Sequence, residues 1–280
     1  MKAMEMTLPA VLSIAGSDPS GGAGIQADLK TFLACGVYGM SVITAVVAEN
    51  TTGVQSVYPM PGAVVRAQLE SVCSDIYPCA VKVGMLSGAE QMQAVIETLE
   101  QFPTHLVIDP VLAAKDGTPL LEPAAIDLFS REMLPKTTLL TPNIPEASLL
   151  TGIRIITESD RKEAAKKLVQ MGAKSVLVKG GHLDGDADDL YYDGVSFTGF
   201  SAPRIETIHT HGTGCTLSAA ITAHLAKGLD MRAAIAAAKN YLTEAMLHTL
   251  AMGHGHGPLN HGFLIPGVLP AHTPDLTERT

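Results

Sequence analysis

The chain has 280 residues, of which 46% are hydrophobic, 17% are charged and 4% are aromatic, and its net charge is −9. A chain of this length buries about 75% of the surface that its unfolded form exposes, so it needs no disulfide or structural metal to form a core. The sequence lacks the basic cluster that binding to a phosphate backbone requires. Its apolar runs are far shorter than the roughly 20 residues of a membrane span, and the first ten residues lack the apolar core of a signal peptide. We therefore expect a cytoplasmic protein with no nucleic-acid or membrane partner.

Short β-branched runs alternate with longer helical patterns over the first 180 residues. The strands that these runs predict are continuously apolar, which is typical of a parallel sheet covered by helices on both faces. The sequence therefore predicts an α/β fold. The predicted strands lie at 11–15, 41–47, 80–83, 105–108, 138–140 and 175–178, and the predicted helices at 22–34, 62–76, 89–101, 122–132 and 158–171.

The pattern changes after residue 185. Two strand patterns, 188–192 and 196–200, flank the dipeptide Asp193-Gly194 and predict an antiparallel hairpin at the edge of the sheet. An edge strand can pair with a second subunit, and we expect a homodimer.

Two helices are predicted to close the fold. The first begins at 212–214 and stops at Gly228, and the second runs from a cap at Asp230 to about Met252. We find no linker or repeat, which favours one domain over residues 1–262 followed by a C-terminal tail, 263–280, that no pattern assigns.

A glycine-rich segment joins the first strand to the first helix. Residues 16–24 read Gly-Ser-Asp-Pro-Ser-Gly-Gly-Ala-Gly and follow the carboxyl end of a strand, where open α/β sheets bind small molecules. The segment is neither a GxGxxG fingerprint nor a Walker A sequence, because no Gly-Lys-Ser/Thr follows. It indicates a ligand contact, and a purely structural turn is the alternative.

A second segment, His-Thr-His-Gly-Thr-Gly-Cys at 209–215, opens what we expect to be an amphipathic helix. Free N–H groups and the positive end of the helix dipole stabilise an anion there. Cys215 lies at the same end, where we expect its pKa to fall and a thiolate to become accessible. An anion site that coincides with an ionisable group favours function over a buried cysteine after a glycine turn. The other cysteines show no metal-ligand spacing, and we expect them to pack as thiols.

Five segments in order resemble the hydroxymethylpyrimidine and phosphomethylpyrimidine kinases of thiamine biosynthesis, in the vitamin-kinase branch of the ribokinase-like fold. The similarity extends from about residue 9 to residue 261. The matching segments are AGSDPSGGAGIQADLKTF at 15–32, KVGML at 82–86, TPNIPEA at 141–147, KGGH at 179–182 and THGTGCT at 210–216.

The resemblance implies a ribokinase-like three-layer α/β/α fold with a central, mostly parallel sheet and an antiparallel edge hairpin. It also implies an enzyme that uses ATP and Mg²⁺ to phosphorylate 4-amino-5-hydroxymethyl-2-methylpyrimidine, and then converts the monophosphate to the diphosphate. In this family Gly212, Thr213 and Gly214 would form the anion hole for the transferred phosphoryl group. Cys215 would take the position of the general base.

The resemblance also places the nucleotide and metal ligands. Asn143 and Glu146 match an Asn-x-x-Glu motif whose Glu organises hydrated Mg²⁺, and Asp109 at a strand end is the expected second carboxylate. The ammonium of Lys179 could reach the β- or γ-phosphate. The alternatives are a helix-dipole charge for Glu146, a turn carboxylate for Asp109 and a solvated strand-end lysine for Lys179.

By resemblance, the pyrimidine pocket is formed by Gly16, Ala23, Val47, Met85 and the residue at position 49. The family commonly has Gln there, whose amide accepts from the 4-amino group and donates to the adjacent ring nitrogen. The sequence has Glu49, and an ionised carboxylate offers no donor to that nitrogen. A proton on the ring or on Glu49 would restore the pairing.

Two alternative functions stay open at this point. A pyridine phenol of the vitamin B6 type carries its own donor, which makes a pyridoxine or pyridoxal kinase the second hypothesis. A catalytically silent pyrimidine-sensing domain is the third. The histidines at 254, 256 and 261 are typical metal ligands, but they follow a helix terminator, and we expect a structured turn near the active site.

Overall fold

The computed structural model describes residues 7–102, 104–112, 121, 123–180 and 188–265. The strands are β1 (Ala10–Ala15), β2 (Tyr38–Ile43), β3 (Ala45–Asn50), β4 (Gly53–Pro59), β5 (Ala80–Val83), β6 (His105–Ile108), β7 (Leu139–Leu140), β8 (Val176–Val178), β9 (Asp189–Tyr192) and β10 (Phe197–Phe200). The helices are α1 (Gly24–Ala34), α2 (Gly62–Cys73), α3 (Ala89–Leu99), α4 (Pro123–Leu128), α5 (Ile144–Thr151), α6 (Glu158–Gln170), α7 (Thr213–Ala226) and α8 (Met231–Leu247).

The central sheet has the strand order β10-β9-β8-β7-β6-β5-β1-β2. From β8 through β2 all neighbours are parallel, whereas β9 and β10 are antiparallel. This confirms the predicted mostly parallel sheet with an antiparallel edge hairpin.

Helices cover both faces of the sheet, as the continuous apolar strands predict. In β1, Leu12 and Ile14 face the layer that contains α2 to α6, and Val11 faces α1, α7 and α8. Alternate residues of a strand point to opposite faces, so a strand buried on both sides must be apolar throughout. None of the described helices is both long and apolar enough to span a membrane.

The predicted strand 41–47 is wrong in one respect, because the chain leaves the sheet at Thr44. The Thr44 hydroxyl donates to the carbonyl of Met85, and the Thr44 carbonyl accepts from the Gln91 amide, so the break is held by buried hydrogen bonds. Beyond it, β3 and β4 form a separate antiparallel ribbon. The strand β4 was not predicted, although the turn-forming residues at 50–53 between two β-branched runs are a hairpin signal.

Three expectations about helices are also corrected, and one helix was not predicted. That helix is α5, whose signal was the capping box between Asn143 and Glu146. The predicted helix 122–132 is α-helical only as far as Leu128, and a π-helical turn follows. The last helix ends at Leu247 rather than near Met252. The helix that begins at Thr213 is not amphipathic, because neighbours on both sides bury 216–223.

Candidate active site

The functional residues meet because parallel strands deliver them to one edge of the sheet. Gly16 follows β1, Met85 follows β5, Asp109 follows β6 and Lys179 follows β8. The carboxyl ends of parallel strands lie together, and open α/β sheets bind ligands there. The first turn of α7 adds Cys215 to this edge from the covering layer.

A cavity of about 380 Å³ lies at this edge, a size that suits one small heterocyclic ligand. Its apolar walls come from residues that include Val54, Val57 and Val111. The structure thus brings together all the residues that the sequence assigned to the pyrimidine pocket, together with the proposed base. These are Gly16, Ala23, Val47, Glu49, Met85 and Cys215.

The two glycine-rich segments pack directly against each other. Gly212 has φ +79°, and a Cβ there would lie 1.8 Å from the carbonyl oxygen of Gly22. Gly24 has φ +56°, and a Cβ there would lie 2.4 Å from the carbonyl oxygen of Gly16. Only glycine fits either position, so these residues set the close approach of the first loop to the start of α7.

The start of α7 has the features of an anion site. Gly212 is the N-cap, Thr213 is the first helical residue, and the N–H groups of Gly214 and Cys215 find no acceptor among the described residues. Such free N–H groups at the positive end of a helix stabilise negative charge.

The Cys215 thiol departs from the sequence expectation. Burial raises its pKa to about 11, although the Lys82 ammonium opposes that rise. The expected fall in pKa is therefore wrong, because loss of solvent outweighs the favourable charges. Near neutral pH the group is a thiol, which can orient a hydroxyl by hydrogen bonding but must lose its own proton before it can act as a general base.

A second polar cluster lies beside Gly214. The ammonium of Lys179 is 2.6 Å from a carboxylate oxygen of Asp109, and a Cβ on Gly214 would lie 3.2 Å from that ammonium. Burial lowers the pKa of Lys179, but the carboxylates of Asp109 and Glu146 raise it more, so its pKa is raised overall. The ammonium is therefore charged, and it lies next to the free N–H groups of α7. A solvated strand-end lysine does not describe this position.

Glu146 and Asn143 cap each other at the start of α5. The Asn143 side chain accepts from the Glu146 N–H at 2.8 Å, and a Glu146 carboxylate oxygen accepts from the Asn143 N–H at 2.7 Å. Burial raises the pKa of Glu146 to about 7, despite the nearby Lys179 ammonium. One oxygen of Glu146 thus caps α5, where the sequence offered a helix-dipole charge as the alternative, and the second Glu146 oxygen makes no hydrogen bond within the described chain.

At the other end of the cavity, Glu49 shares a cluster with Asp18 and His211. One carboxylate oxygen of Glu49, one of Asp18 and a ring nitrogen of His211 all lie within 4.8 Å of one another. Asp18 accepts from the N–H groups of Gly22 and Ala23 and lies 2.9 Å from the His211 ring. Burial raises the pKa of Asp18, but these hydrogen bonds lower it far more, so Asp18 is ionised.

Glu49 differs from its neighbours because none of the described residues hydrogen-bonds its carboxyl group. Burial, and next the Asp18 charge, raise the pKa of Glu49 to about 7, while His211 lowers it. The group is therefore poised between its two protonation states at neutral pH. It faces the cavity with its hydrogen-bonding capacity unused.

Sequence reasoning assigned no role to Asp18, His211 or Lys82, although all three lie in the matching segments. Lys82 had a signal of its own, since a charged residue inside a continuously apolar strand is rarely buried without a reason. The histidines at 254, 256 and 261 do not converge on a metal among the described residues: His261 bonds Thr216, and the turn near His254 contacts Thr51. Two matched positions, Gly181 and His182, lie outside the described residues.

The fold has three layers, and its cavity for one heterocycle ends at the start of a helix that can bind an anion. This is the arrangement of a small-molecule kinase. The phosphomethylpyrimidine kinase family matches residues 18–260. The chain therefore belongs to the phosphomethylpyrimidine kinase family.

Individual relatives agree with this assignment. The hydroxymethylpyrimidine/phosphomethylpyrimidine kinase of Haemophilus influenzae is 49% identical over 258 residues, which cover 90% of this chain and 96% of that protein. The crystal structure of phosphomethylpyrimidine kinase from Clostridium difficile is 45% identical, with a TM-score of 0.76, over 85% of this chain and 99% of the other. The structure of the pyridoxal kinase of Staphylococcus aureus in complex with pyridoxal is 38% identical, with a TM-score of 0.86, over 93% of this chain and 96% of the other.

Proposed function

We propose that the chain transfers the γ-phosphoryl group of ATP to 4-amino-5-hydroxymethyl-2-methylpyrimidine, and then a second one to the resulting monophosphate, within thiamine biosynthesis. The observation that carries the proposal is the position of Cys215. It lines the heterocycle cavity and also belongs to the first turn of α7, whose N–H groups can hold a phosphoryl group. An acceptor oxygen beside Cys215 would therefore face the anion site directly.

Phosphoryl transfer through a loose transition state depends chiefly on alignment and on stabilisation of charge. Val47 and Met85 would hold the ring, Glu49 would pair with its polar edge, and Cys215 would orient the hydroxyl. The N–H groups of α7 and the ammonium of Lys179 would stabilise the transferred group. In a loose transition state the alcohol need not ionise before transfer, so the thiol would orient the hydroxyl and its minor thiolate form would accept the proton as the oxygen bonds to phosphorus.

The residues near Lys179 fit a hydrated Mg²⁺ ion. Mg²⁺ keeps most of its waters and needs only one or two carboxylates. Glu146 offers an unused carboxylate oxygen, and Asp109 offers the oxygen that Lys179 leaves free. When bound, the ion would neutralise charge on the nucleotide phosphates.

A substrate panel tests the function. The purified chain is given Mg-ATP with hydroxymethylpyrimidine, its monophosphate, pyridoxine or pyridoxal, and ADP release is measured with product identification by mass spectrometry. We expect the two pyrimidines to be turned over with higher kcat/KM than either B6 vitamer. Pyrimidine binding without ADP release would identify a sensor and refute the kinase.

Pyridoxal kinase is the second candidate, and Glu49 is the observation that favours it. A carboxylate accepts well from a phenol, whereas an aminopyrimidine needs a shared proton. Higher kcat/KM with pyridoxal than with the pyrimidines would establish this alternative. For either substrate we expect a cytoplasmic homodimer. Sedimentation equilibrium would measure its mass.

A further inference from the structure

A fully buried ion pair lies beneath the cavity, in the layer between the sheet and α1. The Lys82 ammonium is 2.9 Å and 2.8 Å from the two carboxylate oxygens of Asp28. Ser13 donates to the same carboxylate at 2.5 Å. Ser13 and Lys82 are register partners on neighbouring parallel strands, so their side chains share one face of the sheet. All three residues are 0% exposed.

The fold does not require this pair. The other residues of β5 are Ala80, Val81 and Val83, and all are buried. Replacing a buried ion pair with well-packed apolar groups is often neutral or stabilising, because desolvation of the two charges offsets their attraction. A lysine at the centre of a parallel sheet therefore points to a function for its charge.

The charge has a target in the cavity. Lys82 and Cys215 both line it, and they are close enough for each to shift the pKa of the other. Burial lowers the pKa of Lys82, but Asp28, then Cys215 and Asp109, raise it more, so Lys82 is charged. Two cations favour negative charge on the Cys215 sulfur, Lys82 and the more distant Lys179, and the carboxylates of Asp28 and Asp109 oppose it.

We propose that Lys82 is a positioning residue for phosphoryl transfer, whose ammonium, held in place by Asp28 and Ser13, stabilises negative charge on Cys215 and on the acceptor oxygen beside it. The proposal rests on the proposed function, in which Cys215 faces the acceptor. The step starts from the minor thiolate form of Cys215, whose proton has passed to solvent; as the thiolate takes the alcohol proton, an S–H bond forms and the O–H bond breaks. The oxygen then bonds to phosphorus as the bond to ADP breaks. The negative charge passes from sulfur to oxygen within the field of the Lys82 ammonium, which Asp28 and Ser13 hold in place.

Alkylation of the apo protein measures the effect on sulfur without any turnover. Cys79 is the exposed cysteine among the four, so all proteins carry Cys79→Ser. Iodoacetamide labelling of Cys215 is followed at pH 8 by peptide mass spectrometry. The variants are Lys82→Met, Asp28→Asn and the double variant, and circular dichroism checks that each is folded.

The proposal predicts opposite effects from the two halves of the pair. Loss of Lys82 raises the thiol pKa, and since a more basic thiolate is also more nucleophilic, a rise of about one unit slows labelling about threefold. Asp28→Asn removes a negative charge and should speed labelling. If Lys82→Met fails to fold, because it leaves the Asp28 carboxylate unpaired, the effect of the ammonium is measured by comparing the double variant with Asp28→Asn. Cys215 should be labelled more slowly in the double variant. Changes of the same sign in both single variants, or equal rates in that second comparison, would overturn the proposal.

Kinetics separate this proposal from the proposed function. We expect the double variant to lower kcat about tenfold relative to Asp28→Asn, with KM for hydroxymethylpyrimidine unchanged, since the ammonium acts on charge that develops during transfer. An equal kcat in the two variants would overturn the role in catalysis. A parent protein that labels as predicted but releases no ADP with any substrate would refute the proposed function and leave the Lys82–Cys215 coupling intact.

Discussion

Glu49 offers a prediction whose magnitude follows from the structure. Its pKa is raised to about 7, by burial first and by Asp18 second. Below that pH the protonated carboxyl can donate to a ring nitrogen and accept from an amino group, as an amide does. Above it, the carboxylate can only accept. The affinity for an aminopyrimidine should therefore weaken as pH rises through about 7.

The size of the effect can be worked out from this pKa. If only the protonated form binds, affinity at pH 9 is about 100-fold below its value in acid, which is about 2.7 kcal/mol. One unmatched buried acceptor costs about 1 to 3 kcal/mol, which is the same range. Glu49→Gln supplies the donor at every pH, so its affinity should be nearly independent of pH and exceed that of the parent at pH 9.

The assay is calorimetric titration of hydroxymethylpyrimidine from pH 5.5 to pH 9, with Glu70→Gln as a matched control. Glu70 is an exposed carboxyl on α2, outside the cavity. The control should follow the parent at every pH. If the natural ligand is a pyridine phenol, Glu49→Gln should weaken that ligand and improve only the aminopyrimidine. Coincident profiles for the parent and Glu49→Gln would show that Glu49 does not face the ring.

The free protein gives an independent reading of the same pKa. A folded-state pKa above the ordinary 4.5 means that the parent loses stability as pH rises from about 4.5 through 7. The rise to about 7 corresponds to about 3 kcal/mol, which solvent screening of this partly exposed carboxyl reduces to about 1 to 2 kcal/mol. Glu49→Gln should therefore unfold with that much more free energy than the parent at pH 8, and with no difference at pH 4. Equal urea midpoints at pH 8 would contradict the raised pKa.

Two further predictions concern the transfer machinery. Cys215→Ala should keep its melting temperature within a few degrees but lose about 10²- to 10⁴-fold in kcat by ADP release, the range for a general base; unchanged turnover would leave Cys215 as a packing residue. Glu146→Gln and Lys179→Ala should both impair turnover with Mg-ATP while calorimetry shows nearly unchanged pyrimidine affinity, because their proposed partners are metal and phosphate. Gln can still cap α5, which makes Glu146→Gln a test of charge rather than of folding. A large loss of pyrimidine binding in either variant would mean that the two sites are assigned the wrong way round.

The covering layers and the edge hairpin follow from patterns in the linear sequence, and so do most of the residues that line the cavity. Continuous apolar strands such as 80–83 require cover on both faces, and Asp193-Gly194 encodes its turn locally. Glycine patterns mark the two loops because close backbone contact excludes any side chain, as the Cβ contact at Gly212 shows. These features depend on local residues, which a linear pattern can display.

The protonation states of the site residues, in contrast, depend on the assembled fold. Asp18 and His211 are 193 residues apart in sequence yet 2.9 Å apart in space, and after burial their charges contribute most to the pKa of Glu49. The Cys215 pKa rises where its place at a helix start predicts a fall, because burial depends on every element packed around it. The position of the Lys82 ammonium likewise depends on Asp28 and Ser13 from other elements. Desolvation and through-space charge are properties of the assembled fold, so no local pattern encodes them.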